Sequence, residues 1–199
     1  MDFDALAEAV AKRIFIPLEA SGRHVHLTRE QAVTLFGHPL TPKRELSQPG
    51  QFLSNERVTI VGPKGEFSNV AVLGPERPEG QVEVSLTDCR QLGITPPVRL
   101  SGQLVKTPGI QIKSEKGCIQ LERGMIVAQR HIHMNPEDAA AMGVEDKQMV
   151  RVQTFTDRPV TFHSVMVRVH PDFETSMHID YDEANAIGFH QGDLGRIIP

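Results

Sequence analysis

Four of the nine histidines stand in two copies of one pattern. Residues 23–32 read R-H-V-H-L-T-R-E-Q-A and residues 130–139 read R-H-I-H-M-N-P-E-D-A. In a strand, residues two apart share a face. His24 and His26 therefore stand together on one strand and His131 and His133 on another, with Val25 and Ile132 directed behind them into a core. An isolated His-x-His is most often a surface strand pair. A histidine with no task has no reason to recur with the same leading arginine and the same following helix start. Neutral imidazoles so placed suit Zn²⁺ and its first-row relatives, and the missing donors would be a carboxylate or a third histidine.

Both kinds of donor are present at strand positions. In Q-V-E-V-S, Glu83 points away from the apolar pair Val82 and Val84. On a bare strand such an acid is solvated; beside two imidazoles it is a candidate third ligand. The turn G-P-E-R-P-E-G places Arg77 near it. In M-H-I-D, His178 completes a three-histidine set with His131 and His133, and the short helix that follows carries Asn185. His38, His163, His170 and His190 have no such companions and read as ordinary polar histidines. No serine or cysteine stands out as an activated nucleophile.

The elements that must position these residues are short. Thr28 with Gln31 fits a capping box, and Asn135, Pro136 and an acid three past the cap open a second helix in the same way. Helices are expected at about 29–36 and 136–142, each ending at glycine (Gly37, Gly143), with a further capped turn at Thr87–Leu92. Between them, β-branched runs at Ile14–Ala20, Val58–Gly62, Phe67–Leu73, Val82–Leu86, 149–155 and 160–169 read as strands. Fourteen prolines and sixteen glycines punctuate them, which points to β structure with tight turns. Residues 2–14 have helical spacing, with Phe3, Leu6, Val10 and Ile14 along one stripe. A helix that short needs a surface to dock on, either its own barrel or another protein.

At 199 residues the chain accommodates two small domains, one per histidine pair. The net charge of −4 and the lack of a basic tract argue against nucleic acid as a partner. Cys89 and Cys118 share no paired spacing and suggest a reducing compartment. No apolar run approaches membrane length and no signal peptide is visible, so neither a membrane nor export is expected.

The segments I-P-L-x-x-S-x-R-H-V-H-L, L-x-Q-P-G-Q-F, N-V-x-V-L-G-P-x-R, Q-V-E-V-S-L-T-D, T-P-G-I, V-A-Q-R-H-I-H-M and M-H-I-D-x-D-E-A-N-A give the chain more than a repeat. Over residues 16–199 it resembles the PduL-type phosphotransacylases, phosphate propanoyltransferases associated with bacterial microcompartments. The resemblance implies a mostly β fold of two small β-barrel domains capped by short α-helices and related by a pseudo-two-fold. The first barrel would span 22–130 and the second 14–21 plus 131–199, behind an N-terminal amphipathic helix at 1–13. It implies two zinc ions, one on His24, His26 and Glu83 and one on His131, His133 and His178. Arg77 matches the family's phosphate-binding arginine. Ser21, Lys43, Leu73, His178 and Asn185 fall where the family contacts coenzyme A. Ala71 stands where an arginine is common, Pro78-Glu79-Gly80 replaces a more polar stretch, Gly22 a usual asparagine and Glu19-Ala20 a usual Gly-Val. These departures bear on acyl preference and CoA affinity and leave the metal set intact.

The reaction implied is a short acyl-CoA, propanoyl-CoA first, plus phosphate giving acyl phosphate plus CoA, by direct zinc-assisted attack of phosphate on the thioester. A zinc hydrolase and a metal-stabilised scaffold without catalysis are the competing readings. The expected partners are acyl-CoA, inorganic phosphate, a second copy in a homodimer, and shell proteins reached through the N-terminal helix. The expected location is the microcompartment lumen or the cytoplasm.

Overall fold

The computed structural model describes residues 3, 10, 11 and 13–199. The helix expected at 1–13 therefore falls largely outside the described residues; of its stripe, Phe3 and Val10 are exposed. The chain folds as two compact units, Met1–Ser21 with Gln129–Pro199, and Gly22–Ala128. By their place in the sequence we call these the flanking and the central unit. Among the described residues no helix is long and apolar enough to cross a membrane.

The flanking unit is a closed six-stranded barrel. Around it run β1 (Ile16–Ser21), β14 (Ser176–Asp180), β11 (His131–Met134), β13 (Thr161–Val169), β12 (Met149–Phe155) and β15 (Leu194–Ile198), which returns to β1. Alternation dictates the core: Ile16 and Leu18 on β1, Val150 and Val152 on β12 and Val165 and Val167 on β13 are buried, while Pro17, Arg151 and Ser164 face out. Closure leaves no unpaired edge.

The central unit is a nine-stranded half-barrel sheet. Its order is β7 (Val98–Arg99), β10 (Met125–Ala128), β6 (Gln81–Val84), β2 (His24–His26), β5 (Glu66–Gly74), β4 (Phe52–Val61), β8 (Ile110–Lys113) and β9 (Cys118–Leu121), with β3 (Pro42–Glu45) paired to β4. Val25, Val58, Val70, Val72, Val82 and Ile112 fill its core. The fold is thus mostly β, built on barrel-like sheets with short capping helices. Cys89 is buried in this core and Cys118 is exposed.

Both units repeat one junction. β2 runs parallel to β5 and antiparallel to β6; β11 runs parallel to β13 and antiparallel to β14. Each of the two antiparallel strands then turns into a helix. The helices are α1 (Arg29–Phe36), α2 (Leu86–Leu92), α3 (Pro136–Met142) and α4 (Tyr181–Ile187), after β2, β6, β11 and β14 in turn. Thr28, Ser85, Asn135 and Asp180 cap them by accepting from the amide three residues on, and each ends at a left-handed glycine. A polar N-cap and a C-terminal glycine fix helices of two turns where propensity alone would not. Strand β6 stops at Val84 because Ser85 is already the cap of α2.

Candidate functional site

In the central unit the β2–β6 register sets His24 opposite Glu83, Val25 opposite Val82 and His26 opposite Gln81. Val25 and Val82 enter the core, so the two histidines, Glu83 and Gln81 share the other face. All four are buried. The His24 Nδ1–H donates to the Gly22 carbonyl at 2.8 Å and the His26 Nδ1–H to that of Leu73 at 3.3 Å. Those bonds fix each ring's tautomer and turn its Nε2 lone pair toward Glu83. The two Nε2 atoms lie 3.6 and 3.8 Å from Glu83 Oε1, too far for hydrogen bonds. Donors about 2.0–2.1 Å from a tetrahedral zinc are about 3.3 Å apart, so this spacing is close to a metal-ligand cage. Among the described residues this is the one set of three or more His, Cys, Asp or Glu whose ligand atoms all lie within 4.8 Å of one another.

The electrostatics agree with that chemistry. Burial alone would lower the His24 pKa, but the Glu83 carboxylate outweighs it and raises His24 above its ordinary value. His26 is held well below its own, first by burial and then by the neighbouring His24 and Arg77. Burial would raise Glu83, yet the two imidazoles hold it well below the usual carboxylate range. One deprotonated carboxylate and two oriented imidazoles fit a divalent cation of the zinc type.

A polar network runs from this set to Arg77. The Arg77 Nη1–H donates to Ser101 Oγ at 2.8 Å. Gln81 Nε2 donates to the same oxygen at 2.8 Å and to Glu83 Oε1 at 2.5 Å. The Gly102 amide donates to Gln81 Oε1 at 2.8 Å and so fixes the amide orientation. Ser101 also hydrogen-bonds Glu83, which helps keep that carboxylate ionised. One hydroxyl thus holds the guanidinium and the carboxylate together. The Arg77 amide donates to Leu27 O at 2.8 Å, which seats the turn beside β2.

In the flanking unit the corresponding register sets His131 opposite His178, Ile132 opposite Met177 and His133 opposite Ser176. The His131 Nδ1–H donates to Gln129 O at 2.8 Å, as His24 does to Gly22. Ring centroids are 4.7 Å apart for His131–His133, 4.8 Å for His133–His178 and 5.3 Å for His131–His178. Phe173 stacks on His133 at 4.3 Å. Glu19 Oε2 lies 3.7 Å from His178 Nε2, and Arg168 Nη1 lies 3.4 Å from His133 Nε2. Three imidazoles are donors of the same class, but their ligand nitrogens do not all come within 4.8 Å of one another, and Arg168 and Ser176 approach the Nε2 atoms of His133 and His178.

Each pair's leading arginine clasps the helix after the third member. Arg23 donates to Asp88 at 2.7 Å and Arg130 to Glu183 at 2.6 Å. Both acids also close the capping box of their helix. Each guanidinium lies over a phenylalanine, Arg23 over Phe67 at 4.0 Å and Arg130 over Phe162 at 5.4 Å. The two strands that carry each ligand set are thereby locked where they part into helices.

Of the residues the resemblance assigns to coenzyme A, Ser21 ends β1 opposite Asp180, His178 lies on β14 and Asn185 is exposed on α4. Lys43 is exposed on β3 and Leu73 is half-buried on β5, its carbonyl bonded to His26. His38, His163, His170 and His190 are exposed. Gln81 and Ser101 were not singled out from the sequence. The period of two from Glu83 points to Gln81, whereas Ser101 arrives from a distant loop and has no local signal. The clasping acids could have been found by aligning E-V-S-L-T-D with H-I-D-Y-D-E beneath the repeated R-H-x-H.

A family model described as phosphate propanoyltransferase matches residues 17–190. The chain is 54% identical over 182 residues to a phosphate propanoyltransferase of Leptotrichia buccalis, covering 90% of this chain and 86% of that protein. It is 52% identical to one of Clostridioides difficile, covering 95% and 91%. With one of Listeria monocytogenes it is 52% identical, covering 98% and 94%.

Proposed function

Because the chain belongs to the phosphate propanoyltransferase family, we propose that it transfers a short acyl group between coenzyme A and phosphate, with propanoyl as the preferred group. The observation that carries this reading is the buried His24–His26–Glu83 set joined through Ser101 to Arg77. His24, His26 and Glu83 would hold one zinc ion, and His131, His133 and His178 a second. A bound zinc supplies Lewis acidity toward a thioester carbonyl and a departing thiolate. Arg77 binds phosphate by its paired donors and orients one oxygen for attack. Ser101 fixes the guanidinium for that task. The new C–O bond forms as the C–S bond breaks, the electron pair leaves with the CoA sulfur, and acyl phosphate is released. Ser101 is committed to its network and Cys89 to the core, which supports direct attack without an acyl-enzyme.

The test is release of free CoA thiol from a panel of short acyl-CoAs, with and without phosphate. Release that requires phosphate and is fastest with propanoyl-CoA is the expected result. Release that ignores phosphate makes the protein a hydrolase, and no release under either condition makes it a scaffold. Packaging through residues 1–13, a location in the microcompartment lumen and a homodimer belong to the same reading and rest on the family resemblance. Deleting residues 1–12 is expected to reduce assembly or co-purification with shell proteins while leaving transfer and melting temperature nearly unchanged.

A further inference from the structure

One charge on the site-bearing face of the central unit has no partner among the described residues. Arg57 on β4 is opposite Ala71 on β5, Ala71 is opposite His24 on β2, and His24 is opposite Glu83 on β6. Residues directly opposite in neighbouring strands present their side chains on the same face. Arg57, Ala71, His24 and Glu83 therefore form one row across the sheet. The next pair along, Val58 and Val70, is buried in the core and fixes the other face. Arg57 Nη1 is buried without a hydrogen-bond acceptor. Among the described residues no carboxylate or aromatic ring answers this guanidinium.

A buried guanidinium N–H without an acceptor calls for a ligand or an ion. Between Arg57 and His24 stands only the methyl group of Ala71, over a two-strand span of about 10 Å. The neighbouring row is different: Leu53 is opposite Leu73, whose carbonyl takes the His26 ring proton. The face is thus apolar next to His26 and cationic beyond His24. Arg77 has one donor committed to Ser101, so Arg57 is a second basic group, reaching the site from another strand. Given the transferase reading above, on which this rests, we propose that Arg57 is a phosphoryl-binding residue of the site. It takes anionic oxygens from a phosphate group of coenzyme A or from inorganic phosphate.

The experiment compares the whole protein with Arg57→Gln and Arg57→Lys. CoA affinity is measured by titration calorimetry, KM for phosphate by thiol release, and metal content by elemental analysis. Arg57→Gln is expected to weaken one of the two affinities about tenfold with metal content unchanged. A loss confined to CoA assigns Arg57 to the CoA phosphates, and one confined to phosphate assigns it to the attacking anion. Should Arg57→Gln fail to fold, Arg57→Lys carries the test, because it keeps the charge and loses the planar fork. Wild-type affinities for both ligands in a folded variant overturn the proposal. If the wild-type protein itself binds neither ligand, the transferase reading falls with it, which separates the two failures.

Discussion

The two histidine pairs sit in the same strand register, yet the residue opposite the first histidine differs. In the central unit it is Glu83; in the flanking unit it is His178. A carboxylate facing two imidazoles draws their Nε2 atoms to 3.6 and 3.8 Å from one oxygen. With a third imidazole in that place the rings lie 4.7–5.3 Å apart by centroid, much as His24 and His26 do at 4.9 Å, but the three ligand nitrogens do not all come within 4.8 Å of one another. The flanking unit has its carboxylate one strand further out, where Glu19 lies opposite His178. The same scaffold thus yields one compact, charge-compensated set and one wider set whose anion stands at its edge. An oriented first ligand is common to both; the two differ in where the carboxylate enters, opposite the first histidine in one and one strand further out in the other.

Breaking either set gives the largest effects. His24→Ala leaves His26 and Glu83, too few donors for a tetrahedral zinc. It is expected to remove one metal equivalent and abolish transfer. His131→Ala is expected to remove the other, with a smaller change in affinity at the remaining site. Elemental analysis showing full metal content in both variants would sink the assignment. Arg77→Lys tests the half that carries the clamp. It is expected to raise KM for phosphate roughly tenfold, about 1.4 kcal/mol of lost stabilisation, with CoA affinity unchanged. Normal phosphate kinetics refute the role.

Ser101→Ala sharpens the comparison, since Gln81 bridges Ser101 to Glu83 in the central unit, whereas Ser176, in the matching register position of the flanking unit, meets His178 Nε2 directly at 3.1 Å. The expected result is a loss of metal affinity of roughly tenfold together with weaker phosphate binding. Ser101→Thr should restore both, and a loss of neither contradicts the bridge. The smallest effect concerns β3–β4, a hairpin that the closed barrel lacks. Burial opposes ionisation of Glu56, but the Thr41 hydroxyl and amide donate to it at 2.6 and 3.0 Å and hold its pKa below the usual value. A depressed carboxyl pKa contributes stability above the unfolded value of about 4.3 and loses it as pH falls through the folded one. Glu56→Gln should therefore cost about 1 kcal/mol at neutral pH and progressively less below about pH 4. A melting-temperature difference that is flat from pH 3 to 7 would speak against it.

Much of this was legible because it is local. The repeated R-H-x-H, the N-caps at Thr28 and Asn135 and the period of two at Glu83 lie within a few residues of the features they predict. Helices Arg29–Phe36 and Pro136–Met142 begin and end where the cap chemistry puts them. What escaped was set by pairing between distant strands. Nothing near Arg57 says that it lies opposite Ala71 and one strand further from His24, because the register depends on bulges in β4. Ser101 meets Gln81 only after the chain has passed through α2 and β7. The arginine–acid clasps link positions 65 and 53 residues apart, and their only mark in the sequence is the second repeat, E-V-S-L-T-D against H-I-D-Y-D-E, that follows the repeated R-H-x-H.

Strand β1 precedes the whole central unit in the chain but pairs Leu18 with Met177 and Ile16 with Gly195. Every strand of the nine-stranded sheet, by contrast, lies within one continuous run ending at Ala128. During synthesis the central sheet has all its strands while the six-stranded ring has only one. Ile16 and Leu18, which are fully covered in the finished barrel, then have none of their neighbours, and the strand presents two unpaired edges of the kind that seeds aggregation. Any nascent or truncated product that stops before Ser176 carries that sticky strand at its front. Both neighbours of β1 are the last two strands of the chain, so the ring closes only when Leu194–Ile198 has been made.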